Sequence, residues 1–577
     1  MYLSCMNIDN DYIASRFSLL AKIMDIHGEN SFKTKSYSVA AFTLEKLPES
    51  LQDMPPEKVT SIKGIGDAIG KKIQEILHSG ELRLLQEYIL KTPPGIIEML
   101  RIKGLGPKKI ATIWKEMEIE SIGELLYACE ENRLLLYKGF GEKTQQSVRE
   151  TIEFYMKSQG SHLYADVEAY ALSVQALLKE NFPTEKLAFT GGFRRQLEII
   201  DALQWVTTIN PASTHAFFEG RGYAPQAGEQ GNATGETSRG AAPARFKGPE
   251  GVVLEFIHAS PEAFAATLLT TSCSGEFLEA WQQTTNWDPA RAYATEEEIF
   301  SVARLPFIPP GRREQKKVLE DAARGPLSQL IQTGDIRAII HSHSHWSDGS
   351  NTLEEMAKAC IQKGYEYMVI SDHSKSAFYA NGLKEDRIRE QHLQIDELNR
   401  QLAPFVIFKS IESDILNDGA LDYSNDILST FDLVITSVHS NLKMSEEKAM
   451  MRLTNAIRNP YTTILGHMTG RLLLSRPGYP VDHKAIIEAC VENNVVIELN
   501  AHPRRLDMDW RWIGYALEKG VLISIDPDAH STDGYNDVKY GVLAAQKAGL
   551  TPERNLSSFT LTQFRDFLAE RKKTQGI

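Results

Sequence analysis

From Asp335 onward, short β-rich runs alternate with helical patterns. The runs are RAII before His341, YMVI before Ser371, FVIFKSI before Glu412, LVITSV before His439, TTILG before His467, VVIEL before Asn500 and VLISI before Asp526. Between them, TLEEMAKACIQKG, EEKAMMRLTNAIRN and HKAIIEACVENN read as helices. Such alternation predicts parallel β/α architecture, and seven strands suggest a (β/α)7 barrel. Each run ends in a polar or ligand-type residue, as a barrel requires when its working site is built at the C-terminal strand ends.

The N-terminal part is helical in pattern. Asp9 to Leu51 reads as two amphipathic helices, the first ending at Gly28 and the second opening at Asn30 or Ser31. Lys33 and Lys35 on the second are candidate phosphate contacts. A repeat follows: Ile62-Lys63-Gly64-Ile65-Gly66, Ile102-Lys103-Gly104-Leu105-Gly106, and a weaker copy Tyr137-Lys138-Gly139-Phe140-Gly141, each opening a helix. Glycines allow a tight turn and leave backbone N–H groups exposed at a helix start, where a phosphate can bind. Lys63, Gly64, Gly66, Lys103, Gly104, Gly106 and Lys108 are therefore the candidate phosphate contacts. The repeats resemble the helix-hairpin-helix motif, which grips the DNA backbone without reading bases.

The barrel-like region opens with HSHSHWSDG, His341 to Gly349. Alternation on an extended backbone would put His341, His343 and His345 on one side of a strand end. Imidazoles with a carboxylate suit a borderline divalent metal, zinc or manganese before calcium.

Length and composition bound the rest. At 577 residues the chain exceeds one hydrophobic core. No apolar run approaches a membrane span, and no export signal is recognised. Five scattered cysteines without a C-x-x-C pair fit a reducing cytoplasm. The net charge of -13 argues mildly against nucleic acid, but metal-binding carboxylates can make a total negative while one face stays basic.

Gly191-Gly192-Phe193-Arg194-Arg195 after the run KLAFT resembles the glycine-rich phosphate loop of family X DNA polymerases. With the helix-hairpin-helix modules it implies a polymerase-beta-like order: a lyase-like domain over 1–88, fingers over 89–160, and palm with thumb over 161–325. The α+β nucleotidyltransferase-like palm would bind nucleotide through Gly191, Gly192, Arg195 and Glu255, and Lys72 falls at the Schiff-base lysine of the lyase domain. The family's Asp-x-Asp pair, which holds two catalytic metals, falls here on Ala202 and Gln204; the third acidic position is Glu255. Asp201 would point the wrong way. Pro211 to Gly251, rich in Gly, Ala, Pro and Ser, reads as a flexible loop. The palm is expected to be degenerate, with templated synthesis weak or lost.

H-x-H-x-x-x-x-S-D-G, S-D-H, E-x-D, S-V-H, G-H-x-T-G-R and D-A-H resemble the PHP (polymerase and histidinol phosphatase) domain, here over 335–577. The resemblance implies up to three divalent metals (zinc or manganese, or magnesium) on His341, His343, Asp348, His373, Glu412, His439, His467, Asp528 and His530. His345 and Asp372 would orient ligands, Arg471 would touch substrate phosphate, and Asn500 and His502 would face the mouth. The expected activity is 3′→5′ exonuclease, in some members abasic-site endonuclease. The expected substrate is gapped, nicked or 3′-ended DNA, and the expected setting is a cytoplasmic, nucleoid-associated monomer. Two other readings are a histidinol-phosphatase-like small-molecule phosphoesterase and a DNA-binding scaffold with a structural metal site.

Overall fold

The computed structural model describes residues 8–45, 47, 49–102, 104–157, 160–226, 243–248 and 251–577. Two compact units form, one from residues up to Glu130 with Leu134–Glu153, the other from Glu131–Arg133 with Phe154–Ile577. Among the described residues, no helix is long and apolar enough to cross a membrane.

In the first unit, helices Asn10–His27 and Ser31–Glu45 pack through Ile13, Phe17, Leu20 and Met24 against Tyr37, Ala40 and Leu44. Gly28 caps the first helix in the left-handed conformation at φ 81°, as expected from its sequence. The three repeats share one turn. The amides of Ile65, Leu105 and Phe140 donate to the carbonyls of Ile62, Ile102 and Tyr137 at 2.9, 3.2 and 3.1 Å. Gly64, Gly104 and Gly139 sit at φ 95°, 92° and 98°. A positive φ at the third turn position is the type II signature and explains the glycine. The apolar residue between the glycines is buried, so each turn is pinned to the helical core: Ile65 is 2 %, Leu105 5 % and Phe140 4 % exposed. The second glycine starts helices Asp67–Ser79, Pro107–Lys115 and Glu142–Lys157. Lys103 lies outside the described residues.

The second unit begins with a five-stranded mixed sheet in the spatial order Leu187–Thr190, Ala202–Thr207, Val253–His258, Ala244–Lys247, Ala224–Pro225. Trp205, Phe218, Phe246 and Phe256 fill its core. Two of these strands and the helix Pro211–Glu219 correct the expectation of a loop over 211–251. Asn210 caps that helix through Ser213 N, Pro211 starts it, and buried Phe217 and Phe218 hold it to the sheet. Composition had hidden these few apolar anchors. Residues 227–242 and 249–250 of that segment lie outside the described residues.

The C-terminal region is the expected parallel β/α structure. Strands Ala338–Ile339, Tyr367–Ile370 and Val406–Lys409 form one ladder; Glu412–Asp414, Val434–Ser437, Thr462–Leu465, Val496–Asn500 and Ile523–Asp526 form another. Parallel bridges Ser342–Ala529 and His373–Glu412 join the two into a ring. The FVIFKSI run forms the strand Val406–Lys409 beside Tyr367–Ile370, and directly after the run a separate strand, Glu412–Asp414, pairs with Val434–Ser437. The first strand is also shorter than its apolar run, ending at Ile339, and His341 has φ 60°. Simple alternation therefore does not carry on through HSHSH.

Candidate metal centre

The strand ends and the loops after them gather all nine expected ligand residues around one point. Eight are buried, and the His439 side chain is 10 % exposed. Three sets have donor atoms within 4.8 Å of one another: His343, Asp348, His373 and His530; His341, His343 and Asp528; His373, Glu412 and His439. His467 joins through Nε2, 3.0 Å from Glu412 Oε1. His343 Nε2 lies 3.0 Å from Asp528 Oδ1, and Asp348 Oδ1 is 3.6 Å from His530 Nε2.

The donor set fits divalent cations. His341 Nε2, His343 Nδ1, Asp348 Oδ2, Glu412 Oε2 and His530 Nε2 are buried and make no hydrogen bond. Buried polar atoms left this way are costly, and a shared cation satisfies several at once. Charges compete strongly here. Burial works against the charge on His439 and His530, but Glu412 and Asp414 outweigh it for the first, and Asp348 with its neighbours for the second, pushing both up to about 10. His343 goes the other way, down to about 4, through burial and the neighbouring His530 and His373. Burial would raise Glu412 and Asp528, yet the surrounding imidazoles hold both well below the usual carboxylate range.

A layer of acceptors stands behind the histidines. Glu498, fully buried, accepts from His341 Nδ1, from His467 N at 3.0 Å and from Asn500 Nδ2 at 3.0 Å. The bond to Nδ1 leaves His341 Nε2 facing Glu412 and Asp528 at 3.3 and 3.5 Å. Asp414 takes the Nδ1 of His439 in the same way. Such acceptors set the tautomer and aim the ring. The sequence reading missed Glu498 and Asp414 as orienting groups. The available signal was spacing: each lies two positions from a site residue on one strand, hence on the same face. Asn500 is buried and donates to Asp528 Oδ2 at 3.0 Å.

Three expectations are corrected. His345 is exposed and orients no ligand, because the chain turns away after His343. Asp372 causes that turn, accepting from Ser344 N and Ser347 Oγ at 2.8 and 2.6 Å and from Gln391 Nε2 at 2.6 Å; it orients the loop, not a histidine. Arg471 is committed to the protein: its guanidinium donates to Arg505 O at 3.0 Å, Asp509 Oδ2 at 2.6 Å and Leu506 O, so it braces the 505–509 segment instead of offering itself to substrate. The guanidinium near the cluster belongs to Arg505, 3.8 Å from Asp528 Oδ2.

In the mixed sheet, Thr190, Gln204, Glu255 and Arg245 stand in one rank across four strands. Glu255 accepts from Arg245 Nε and Nη2 at 3.2 and 3.0 Å. A Cβ on Gly191 (φ 61°) would lie 1.6 Å from Gln204 Oε1, so the Gln204 amide packs directly against the glycine turn, while Gly192 lies beside Leu197. Arg195 turns to Glu314, 3.4 Å away. Asp201 accepts from Ser161 Oγ at 2.7 Å, off the rank as expected. In the first unit, Lys63 and Lys108 are exposed, and Lys72 is half-buried with no hydrogen bond or ion pair among the described residues.

Comparison with known proteins agrees with both halves of this picture. The Helix-hairpin-helix domain family matches residues 8–82 and the SAM-like Helix-hairpin-helix tandem matches 96–153, which includes the weaker third repeat. The chain is 26% identical over 260 residues to "Probable phosphatase TTE1963" of Caldanaerobacter subterraneus subsp. tengcongensis, covering 42% of this chain and 95% of that protein. Against "Probable phosphatase YcdX" of Escherichia coli it is 26% identical over 234 residues, 38% of this chain and 88% of that one. It is 32% identical over 578 residues to "DNA polymerase/3'-5' exonuclease PolX" of Bacillus subtilis, spanning 95% of this chain and 97% of the relative. With helix-hairpin-helix modules, a glycine-turn sheet and a histidine-lined β/α ring in one chain, it belongs to the DNA polymerase/3'-5' exonuclease PolX family.

Proposed function

We propose that this protein is a DNA end-processing enzyme whose barrel hydrolyses phosphodiesters from the 3′ end, and whose palm synthesises DNA weakly or not at all. The observation that carries the reading is the convergence of nine donor residues, several of them with buried side-chain atoms that make no hydrogen bond. The whole-length similarity to a polymerase/exonuclease supports DNA as substrate. Divalent cations, when bound, would polarise the phosphodiester oxygens and lower the pKa of an attacking water. His341, His343, Asp348, His373, Glu412, His439, His467, Asp528 and His530 would hold them. Zinc or manganese suits so many imidazoles. Glu498 and Asp414 keep His341 and His439 aimed inward, Asn500 steadies Asp528, and Arg505 supplies positive charge where a phosphate would approach. The hairpin residues Lys63, Gly64, Gly66, Gly104, Gly106 and Lys108, with Lys103, would hold the DNA backbone. A lyase step at Lys72 is part of the same proposal, supported by position alone.

For the palm, the support is local. Two-metal nucleotidyl transfer needs paired carboxylates; this chain has Ala202 and Gln204, and Glu255 is paired with Arg245.

A 3′-labelled primer-template with manganese tests the reading. We expect the wild type to shorten the 3′ end and His341→Ala/His343→Ala to do so at least ~100-fold more slowly. Equal shortening by the variant, or none by the wild type, overturns it. The matches to probable phosphatases over the barrel favour one alternative, a small-molecule phosphomonoesterase; p-nitrophenyl phosphate turned over with DNA left intact would select it.

A further inference from the structure

The chain after the candidate ligand His373 leaves the ring as a loop and comes back to the same residue. Leu383 N donates to His373 O at 2.9 Å, and a β-bridge joins Ser374 to Leu383, so both ends of the loop stand at the histidine. The two limbs touch: a Cβ on Gly382 would lie 1.9 Å from Ser374 O. On one side the loop is tied to the Glu412 strand and the chain after it. Ser374 N donates to Glu412 O at 3.1 Å, Ser376 N to Asp422 Oδ2 at 2.6 Å and Lys375 N to Tyr423 Oη at 3.1 Å. On the other side it is tied to the segment carrying Asp348, where Asn381 Nδ2 donates to Trp346 O at 3.2 Å and Ser347 O at 3.4 Å. The loop is thus a braced part of the rim, held between neighbours of three candidate ligands.

Its tip is the short turn Phe378–Ala380. Ala377 and Ala380 are fully buried and hold the turn down, and Asn381 N closes it onto Phe378 O at 3.3 Å. Phe378 is left outside at 76 % exposure, and among the described residues of the β/α ring no large apolar side chain is more exposed. Leu393, at 70 %, lies within the helix Glu385–Gln401, where a lone exposed leucine is ordinary. Phe378 differs by its place, three positions from the asparagine that touches the carbonyl before Asp348. The charges around it are already matched. Lys375, the lysine of the loop, pairs with Glu385 at 2.7 Å, and Arg387 donates to Asn381 O at 2.8 Å. What the loop turns outward is a ring and not a charge. A strand end whose phosphodiester lies at the cluster brings one apolar, planar group to the rim, its base. Bases of every kind stack on an aromatic side chain, and a ring on a braced loop has little freedom left to lose.

We propose that Phe378 is the platform on which the 3′-terminal base of a single strand stacks while its phosphodiester lies at the histidine cluster. The proposal rests on the end-processing reading and deepens it: the loop positions the strand end without reading its sequence.

Two single-stranded oligonucleotides test it, alike except that one ends in an ordinary nucleotide and the other in a tetrahydrofuran residue, which keeps the phosphodiester and lacks the base. The metal-loaded full chain should favour the base-bearing end at least ~5-fold in kcat/KM, mainly through KM. Phe378→Ala should abolish that preference and Phe378→Trp retain it. A damaged loop would slow both ends alike, so the ratio separates stacking from distortion. A second measurement needs no cleavage. 2-Aminopurine at the 3′ end should be quenched on binding His341→Ala/His343→Ala, and the quench should be lost when Phe378→Ala is added. A wild type without the preference, a preference that survives Phe378→Ala, or fluorescence indifferent to Phe378 overturns the proposal and leaves the exonuclease standing. Failure to shorten either oligonucleotide defeats the end-processing reading instead, and the fluorescence then decides alone whether Phe378 holds the base.

Discussion

Glu498 carries three donors with one carboxylate: His341 Nδ1, His467 N and Asn500 Nδ2. Glu498→Gln keeps the shape but replaces one acceptor oxygen with a donor, so one partner must go unsatisfied. Loss of such an orienting group typically costs ~10–100-fold in metal affinity. We expect that loss in competition against a chromogenic chelator, with the melting temperature of the metal-free protein changing far less. Unaltered metal affinity would remove Glu498 from the role of aiming His341. Protons are the second residue-scale effect. His439 and His530 are raised from 6.5 to about 10 in the fold. Because the folded values are higher, their contribution to stability is complete below pH 6.5 and is lost as the pH climbs through about 10. A cation must displace those protons. Loading should therefore release protons and strengthen with rising pH, roughly tenfold per unit for each proton displaced between pH 6.5 and 9. Calorimetry in two buffers of different ionisation enthalpy reads the release directly; zero release would show that these imidazoles are already neutral.

The hairpin turn can be tested as an element. At φ 92° Gly104 faces open space, so Gly104→Ala meets no neighbour and isolates backbone strain. A left-handed Ala costs ~1–2 kcal/mol. Chemical denaturation should show that loss, and DNA binding at fixed salt should weaken as the turn relaxes. Gly104→Asn, which tolerates the conformation better, should lose less. Identical stability of the two variants would argue that something other than φ selects the glycine. Elements also differed in how openly the sequence displayed them. Turn, buried apolar residue and helix start sit within five consecutive residues, so the repeats were readable. The strand Glu412–Asp414 after the FVIFKSI run was not, since three polar residues directly following an apolar run look like its end and not like a new strand with another neighbour. The helix Pro211–Glu219 was hidden for a different reason: two phenylalanines and a cap hold it, amid a loop-like composition.

For the whole molecule, the net charge of -13 coexists with exposed lysines at the hairpins because many carboxylates are turned inward around the histidine cluster. Total charge therefore says little about which face meets DNA. At the same scale, the proposal that the palm synthesises DNA weakly or not at all rests on the sheet rank Thr190–Gln204–Glu255–Arg245, where no pair of carboxylates stands. We expect no templated extension of a primer with excess dNTPs, with manganese or magnesium. His341→Ala/His343→Ala serves as the background, so that degradation cannot mask synthesis. Robust extension there would restore the palm as a polymerase.

The sequence by itself determined the helical repeats and the β/α alternation, because these depend on local spacing, while the nine expected donor residues came from the resemblance of its motifs to the PHP domain. It could not determine which arginine stands beside the cluster, since Arg471 and Arg505 differ only in what surrounds them. Nor could it show that Asp372 folds a loop or that Glu498 sits behind His341. Those facts depend on contacts between segments far apart in the chain, and packing alone brings them together. HSHSH is the clearest case: alternation named three equivalent histidines, and a left-handed turn at His341 with a loop held by Asp372 left two inside and put His345 in solvent.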